Sequence, residues 1–156
     1  MEEKARRAVS RLQFTRPWTI AQAVEEISAK GGKPIKLRPV SGEKIIDDFG
    51  PEVSSVCISW KLEYIIVYSN DTPVPLQEVS IGHELGHIVF GHFSKSDTSM
   101  LFKCGFHDDH EREAEWFATH LMARADDYRT ELLPSSITGR KRRILTKFVK
   151  DLGWSM

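Results

Sequence analysis

Residues 76–91 read LQEVSIGHELGHIVFG, and their apolar side chains recur at the spacing of an α-helix. The pattern predicts a helix across this stretch, because residues three or four apart share a helical face. The apolar residues occupy most of its faces: Leu76, Val79, Ile81, Leu85, Ile88, Val89 and Phe90. A helix with so little polar surface is expected to lie buried at the centre of its domain.

Two histidines and a glutamate interrupt this apolar helix, at His83, Glu84 and His87. Residues four apart lie on one helical face, about 6 Å apart along the axis, so both imidazoles can bind one tetrahedral metal ion. Glu84 lies about 100° around the helix, where its carboxylate can act as general base on a water that zinc activates. A chance match is disfavoured, because unpaired polar groups buried in an apolar segment are costly.

A catalytic zinc usually takes three protein ligands and a water, so a third ligand is expected elsewhere in the chain. Residues 110–124 form a second predicted helix, and Glu111 and Glu115 share one of its faces at i, i+4 spacing. One can bind the metal, while the other can accept the free N–H of a ligand histidine. Spacing alone leaves the choice between them open. Glu113 points away from that face and is expected to be a solvated charge.

The remaining patterns predict a short helix and three strands ahead of the two central helices. The helix covers residues 19–30, and the strands cover residues 34–40, 53–60 and 64–68, of which the last two form a hairpin. The fold class is therefore α+β, with a small mainly antiparallel sheet packed beside the helix of His83 and the glutamate-bearing helix. We expect one domain over residues 1–156, with its core at about 15–125 and a basic amphipathic helix at about 140–152.

Composition limits the classes of function. Lysine plus arginine and aspartate plus glutamate each number 22, so no overall positive charge attracts nucleic acid. The basic run of residues 140–150, from Arg140 to Lys150, is better explained as the solvated face of a helix than as a DNA contact. Cys57 and Cys104 are too few for a disulfide framework and are expected to be buried thiols. No signal-peptide pattern and no apolar run long enough to cross a membrane occur, so we expect a cytoplasmic protein.

The runs HELGHIVFGH (83–92) and EREAEWFATHLM (111–122) resemble the ImmA/IrrE family of metallopeptidases, and more broadly the gluzincins. The resemblance implies that Glu111 is the third metal ligand and that Glu115 stands behind the ligands, although the family commonly has Asp or Asn at that position. The implied cofactor is Zn²⁺. Two imidazoles and a carboxylate also suit Mn²⁺.

The resemblance further implies a target, because members of the family typically cleave or inactivate a helix-turn-helix repressor. We therefore expect a zinc endopeptidase that relieves repression of stress, prophage or mobile-element genes by acting on a separate protein. The alternative is a regulatory binding module, an anti-repressor or antitoxin-like partner with a structural metal. A substrate could pair with residues 64–68 as a sheet edge, or that strand could be wholly internal.

Overall fold

A computed structural model describes residues 1–93 and 108–129, the backbone of Met100–Phe102, and the isolated helical positions Lys147 and Asp151. The elements follow the order α1 (Glu2–Ser10), α2 (Ile20–Gly31), β1 (Ile35–Val40), α3 (Gly42–Phe49), β2 (Ser55–Trp60), β3 (Tyr64–Ser69), α4 (Val74–Val89), β4 (Met100–Phe102) and α5 (Asp108–Asp126). Helices and a small sheet thus confirm the predicted α+β class.

The four described strands form one sheet in the order β1-β3-β2-β4. β2 runs antiparallel to both β3 and β4, which confirms the predicted hairpin, and β1 runs parallel to β3. The sheet is therefore mainly antiparallel, as predicted. Because β3 has a strand on each side, residues 64–68 are internal, and the idea that they offer an edge to a substrate is wrong.

Helix α4 lies between α5 and the sheet, and its burial is less complete than its sequence suggests. Ile81, Leu85 and His87 are buried, but Leu76 and Val79 on its first turns are 55% and 44% exposed. Gly82 and Gly86 in the middle of the helix face α5, whereas Leu76 and Val79 lie on an exposed side of the first turns, where Glu78 is buried. The prediction of a helix buried on most faces is therefore correct only for its central turns.

Two glycines let α4 and α5 approach closely. A Cβ atom at Gly86 would stand 2.9 Å from the Cα of Ala114 and 3.1 Å from the Cβ of Phe117. At Gly82 the same addition would meet its nearest atom, in Leu121, at an ordinary 3.4 Å. Gly86 therefore marks the point where the two helix backbones come closest, one residue before His87.

Three elements were not predicted from the sequence. Helix α1 packs on α5 through Ala5 and Val9, so the core extends upstream of the expected 15–125. Helix α3 begins where a turn was expected, because the hydroxyl of Ser41 accepts a hydrogen bond from the backbone N–H of Lys44. The short strand β4 lies within the connection from α4 to α5, which was expected to be a loop.

Parts of the prediction concern residues outside the described ranges. Of the basic helix expected at 140–152, the structure describes Lys147 and Asp151, both helical and exposed. Cys104 also lies outside these ranges, whereas Cys57 is a buried free thiol. Among the described helices, none has the length and apolar character needed to cross a membrane.

Candidate metal centre

Three potential ligands from α4 and α5 meet at one point. His83 and His87 turn their Nε2 atoms toward each other at 3.1 Å, as their spacing along one helical face requires. Across the helix contact, Glu111 places one carboxylate oxygen 2.9 Å from Nε2 of His83 and the other 3.3 Å from Nε2 of His87. The structure thus brings Glu111, rather than Glu115, against the two histidines.

The spacing of these atoms fits a bound metal ion. Four ligands placed about 2.0–2.1 Å from a tetrahedral zinc ion stand about 3.3 Å from one another. The two histidine nitrogens stand 3.1 Å apart, close to that value, and Glu111 brings one oxygen to 2.9 Å from His83 and its other oxygen to 3.3 Å from His87. Two imidazole nitrogens and a carboxylate oxygen are also a donor set that divalent ions accept. His83, His87 and Glu111 could therefore hold a metal ion.

Glu84 lies beside this cluster as a buried carboxylate that is only half satisfied. Its side chain accepts a hydrogen bond at Oε1 from the hydroxyl of Ser55, at 2.8 Å. Its other oxygen, Oε2, is buried and has no hydrogen-bond partner among the described residues. Burial raises the pKa of Glu84 to about 7, the Ser55 hydrogen bond opposes that rise, and the charge of Glu111 adds to it.

The cluster opens into a cleft of about 480 Å³. One wall is the chain entering β2, and the other is the exposed side of α4 together with α5. The lining residues are Glu52, Val53, Ser54, Ser55, Val79, Ser80, His83, Glu84, His87, Glu111 and Glu115. Glu115 is an exposed part of this wall, and within the described structure its carboxylate accepts no hydrogen bond from His83 or His87.

Comparison with known protein families identifies the chain. The family model Peptidase_M78, described as the IrrE N-terminal-like domain, matches residues 41–148, which is more than half of the sequence. The chain belongs to this family. The resemblance to ImmA/IrrE metallopeptidases is thereby confirmed. No curated protein and no solved structure gives a significant match.

The match to Peptidase_M78 includes both helices of the cluster and the strand that carries Ser55, but not α1 or α2. The family is one of metallopeptidases, and the cluster of His83, His87 and Glu111 is the group in the described residues that could serve as its metal site. Membership therefore supports a metallopeptidase function for this chain.

Behind the cluster of His83, His87 and Glu111 lie two residues, His92 and Glu113, whose contact with the site their spacing in the sequence does not predict. His92 is buried, with its Nδ1 atom 2.8 Å from Nδ1 of His87, and its Nε2 atom lies 2.7 Å from Oε1 of Glu113. Glu113 also binds Lys4 of α1 at 2.6 Å. Glu113 does point away from Glu111, but the expectation that it is a solvated charge is wrong, because its side chain is 14% exposed and doubly bonded.

The end of α4 explains how His92 returns to His87. The helix ends at Val89 with Phe90 as its cap, and Gly91 adopts a left-handed conformation with φ +64°. The backbone N–H of His92 then donates a hydrogen bond to the carbonyl of His87 at 3.0 Å. This is the Schellman ending that a glycine after a helix permits. Gly91 is the feature of the sequence from which the contact of His92 with His87 could be predicted. A Schellman ending folds the second residue beyond the cap, here His92, back over the last turn of the helix.

The surroundings favour a neutral His92 and an ionised Glu113. Burial lowers the pKa of His92, even though the hydrogen bond to Glu113 acts in the opposite direction. For Glu113, burial alone would raise the pKa, but the hydrogen bonds from Lys4 and His92 outweigh it and the net pKa is lowered. A neutral imidazole between His87 and a carboxylate has one ring nitrogen to accept and one to donate.

Proposed function

We propose that this chain is a zinc-dependent endopeptidase in which Glu84 is the general base and His83, His87 and Glu111 hold the metal. The observation that carries the proposal is the buried carboxylate of Glu84, whose Oε2 atom has no hydrogen-bond partner among the described residues and which lines the same cleft as His83, His87 and Glu111. A metal site with only a structural role has no use for a second acidic group beside the three ligands when the burial of that group is so poorly compensated.

The residues of the site divide the chemistry among them. A divalent ion bound there would supply Lewis acidity, which activates water and polarises a peptide carbonyl. Glu84 takes the proton of the attacking water at Oε2, while Ser55 holds Oε1 and so orients the carboxylate toward the cleft. Glu84 can then return the proton to the departing amine. Zinc is proposed as the physiological metal, although the same donor set accepts manganese.

The substrate is proposed to bind as an extended strand along β2. The described part of β4, Met100–Phe102, pairs with Ile58–Trp60, and among the described strands none pairs with the preceding part of β2 on the side away from β3. Ser55 at that end of β2 lines the cleft. A peptide added there would gain backbone hydrogen bonds while passing the carboxylate of Glu84.

The proposed target is a helix-turn-helix repressor met in the cytoplasm, whose cleavage relieves repression of stress, prophage or mobile-element genes. The resemblance of residues 83–92 and 111–122 to ImmA/IrrE peptidases supports this choice. A cleft served by one short strand edge also favours a dedicated protein target over general degradation.

The decisive comparison is between the wild-type protein, Glu84→Gln and Glu25→Gln. Glu25 is an exposed glutamate on α2 that controls for the loss of one acidic group. Each purified protein is loaded with zinc and incubated with a helix-turn-helix repressor encoded beside the gene. We expect one zinc per chain in all three, cleavage by the wild-type protein and Glu25→Gln, and none by Glu84→Gln.

Two results would count against this proposal. Cleavage by Glu84→Gln at the wild-type rate would remove Glu84 from the mechanism. If the wild-type protein and Glu84→Gln relieve repression equally without cleaving the repressor, the chain is instead the regulatory binding module.

A further inference from the structure

A continuous line of hydrogen bonds runs from the proposed metal site to the N-terminal helix. It joins His87 to His92 at 2.8 Å, His92 to Glu113 at 2.7 Å, and Glu113 to Lys4 at 2.6 Å. The four residues come from α4, the turn after it, α5 and α1. Three separate segments of the chain thus converge behind one imidazole.

If His87 binds the metal through Nε2, the hydrogen-bond donors and acceptors along this line can be assigned in only one way. A neutral imidazole that coordinates through one nitrogen carries its proton on the other, so Nδ1 of His87 donates. Nδ1 of His92 must then accept, which places the proton of His92 on Nε2. That N–H donates to Oε1 of Glu113, and Oε2 of Glu113 accepts from Lys4. Each donor in the line faces an acceptor.

We infer that His92 and Glu113 are positioning residues, which hold the ring of His87 in the orientation and the tautomer that metal binding requires. The inference rests on the proposed metal role of His87. Ligand histidines commonly donate their second N–H to a carboxylate directly. In this protein the carboxylate of Glu113 does not contact His87 directly. The neutral ring of His92 lies between them, accepting from His87 and donating to Glu113.

The two histidines of this line are buried, so their hydrogen bonds differ from those of a surface contact. The side chains of His87 and His92 are 1% and 3% exposed, so solvent does not replace a lost partner. The ring of His110 stacks on His92 at 4.1 Å and limits its rotation. Lys4 lies outside the segment that matches Peptidase_M78, so α1 adds a support that the family match does not include.

The first test measures the dissociation constant of zinc for the full chain by competition with a chromogenic chelator. We expect His92→Phe, which keeps a ring at this position but removes the nitrogen that accepts from Nδ1 of His87, to bind zinc roughly 10–100-fold more weakly. Glu113→Gln still accepts from His92 but loses its charge, and a smaller loss of about tenfold is expected. Lys4→Met should change the affinity less than about fivefold, because Lys4 is largely exposed.

Two variants serve as matched controls. His120→Gln removes another histidine of the same helix pair, one that contacts Glu2 rather than the site. Glu115→Gln tests the rival support expected from the sequence. Both should bind zinc within about twofold of the wild-type protein. If folded His92→Phe and Glu113→Gln also bind within that limit, or if Glu115→Gln alone weakens binding, the inference is overturned.

A second measurement uses only the wild-type protein and so does not depend on any variant folding. The ¹⁵N chemical shifts of the histidine rings in the zinc-loaded chain report which nitrogen carries each proton. We expect the proton of His87 on Nδ1 and that of His92 on Nε2, and a proton on Nδ1 of His92 would overturn the inference. Failure of the proposed function would differ, because zinc binding and the ring protonation would be as expected while the repressor stayed intact.

Discussion

Gly86→Ala adds a single methyl group where α4 and α5, the two helices that carry the candidate metal ligands, touch. The new Cβ would stand 2.9 Å from the Cα of Ala114, roughly 0.6 Å short of the 3.5 Å at which two carbon atoms begin to pack well. Its closest neighbours belong to the backbone and the Cβ of α5, which cannot rotate away. The helices must therefore separate, and Glu111 on α5 would move away from His83 and His87 on α4.

Gly82→Ala is the matched control, because it adds the same methyl group to the same helix where the nearest atom is at 3.4 Å. Both substitutions gain up to about 1 kcal/mol of helix propensity, so the difference between them isolates the cost of the close contact. Overpacking of this kind costs about 1–3 kcal/mol. We therefore expect the free energy of unfolding of Gly86→Ala to be about 1–3 kcal/mol below that of Gly82→Ala.

Urea denaturation in zinc-free buffer measures this difference directly, and chelator competition measures the metal site. Because metal–ligand distances tolerate about 0.2 Å, a separation of roughly 0.6 Å should weaken zinc binding by Gly86→Ala at least about tenfold. Gly82→Ala should bind as the wild type does. Equal stability and equal zinc affinity in the two variants would refute the reasoning, because the helix contact would then not set the position of Glu111.

Three further predictions concern groups around the site. Because the pKa of Glu84 is raised from 4.5 in the unfolded chain to about 7 in the folded protein, the stability of the metal-free protein should fall as the pH rises between these values. Glu84→Gln cannot ionise, so urea denaturation at pH 8 should find it about 3 kcal/mol more stable than the wild-type protein. Equal stability of the two proteins would contradict the raised pKa. Ser55→Ala removes the hydrogen bond that Ser55 donates to Glu84. We expect about 1–3 kcal/mol lower stability at pH 8 and a lower kcat with KM unchanged, whereas an unchanged kcat would exclude an orienting role for Ser55. Gly91→Ala must hold an alanine at φ +64°, so thermal unfolding should show the variant to be about 1–2 kcal/mol less stable than the wild-type protein. An unchanged melting temperature would show that the turn before His92 can adopt another backbone conformation without cost.

The sequence was most informative where structure depends on neighbours along the chain. The i, i+4 spacing of His83 and His87 places both rings on one face of any α-helix, and the structure has their Nε2 atoms 3.1 Å apart. The hairpin of β2 and β3 and the ending of α2 at its glycines follow from equally local patterns. Helix α1 was missed because few of its residues are apolar, and its burial depends on the surface of α5 that receives Ala5 and Val9.

Roles that cross between elements could not be predicted in the same way. Glu111 and Glu115 are equivalent in helical spacing, and family resemblance supplied the preference for Glu111 that the helix contact now accommodates. Glu113 looked like a solvated charge, because nothing near it in sequence shows that Lys4 and His92 cover it. The place of β3 inside the sheet likewise depends on β1, a strand more than twenty residues away.

By itself, the sequence determined the helix of His83, Glu84 and His87 and the metal chemistry that their spacing permits, since a helix repeats its geometry wherever it forms. Only the tertiary structure decided which carboxylate meets those histidines, which groups contact His87 from behind, and which strands lie inside the sheet. The physical reason is that these choices depend on how closely α4 and α5 pack at Gly86 and on how the chain turns at Gly91. Both are contacts between backbones, and the identity of the functional side chains does not reveal them.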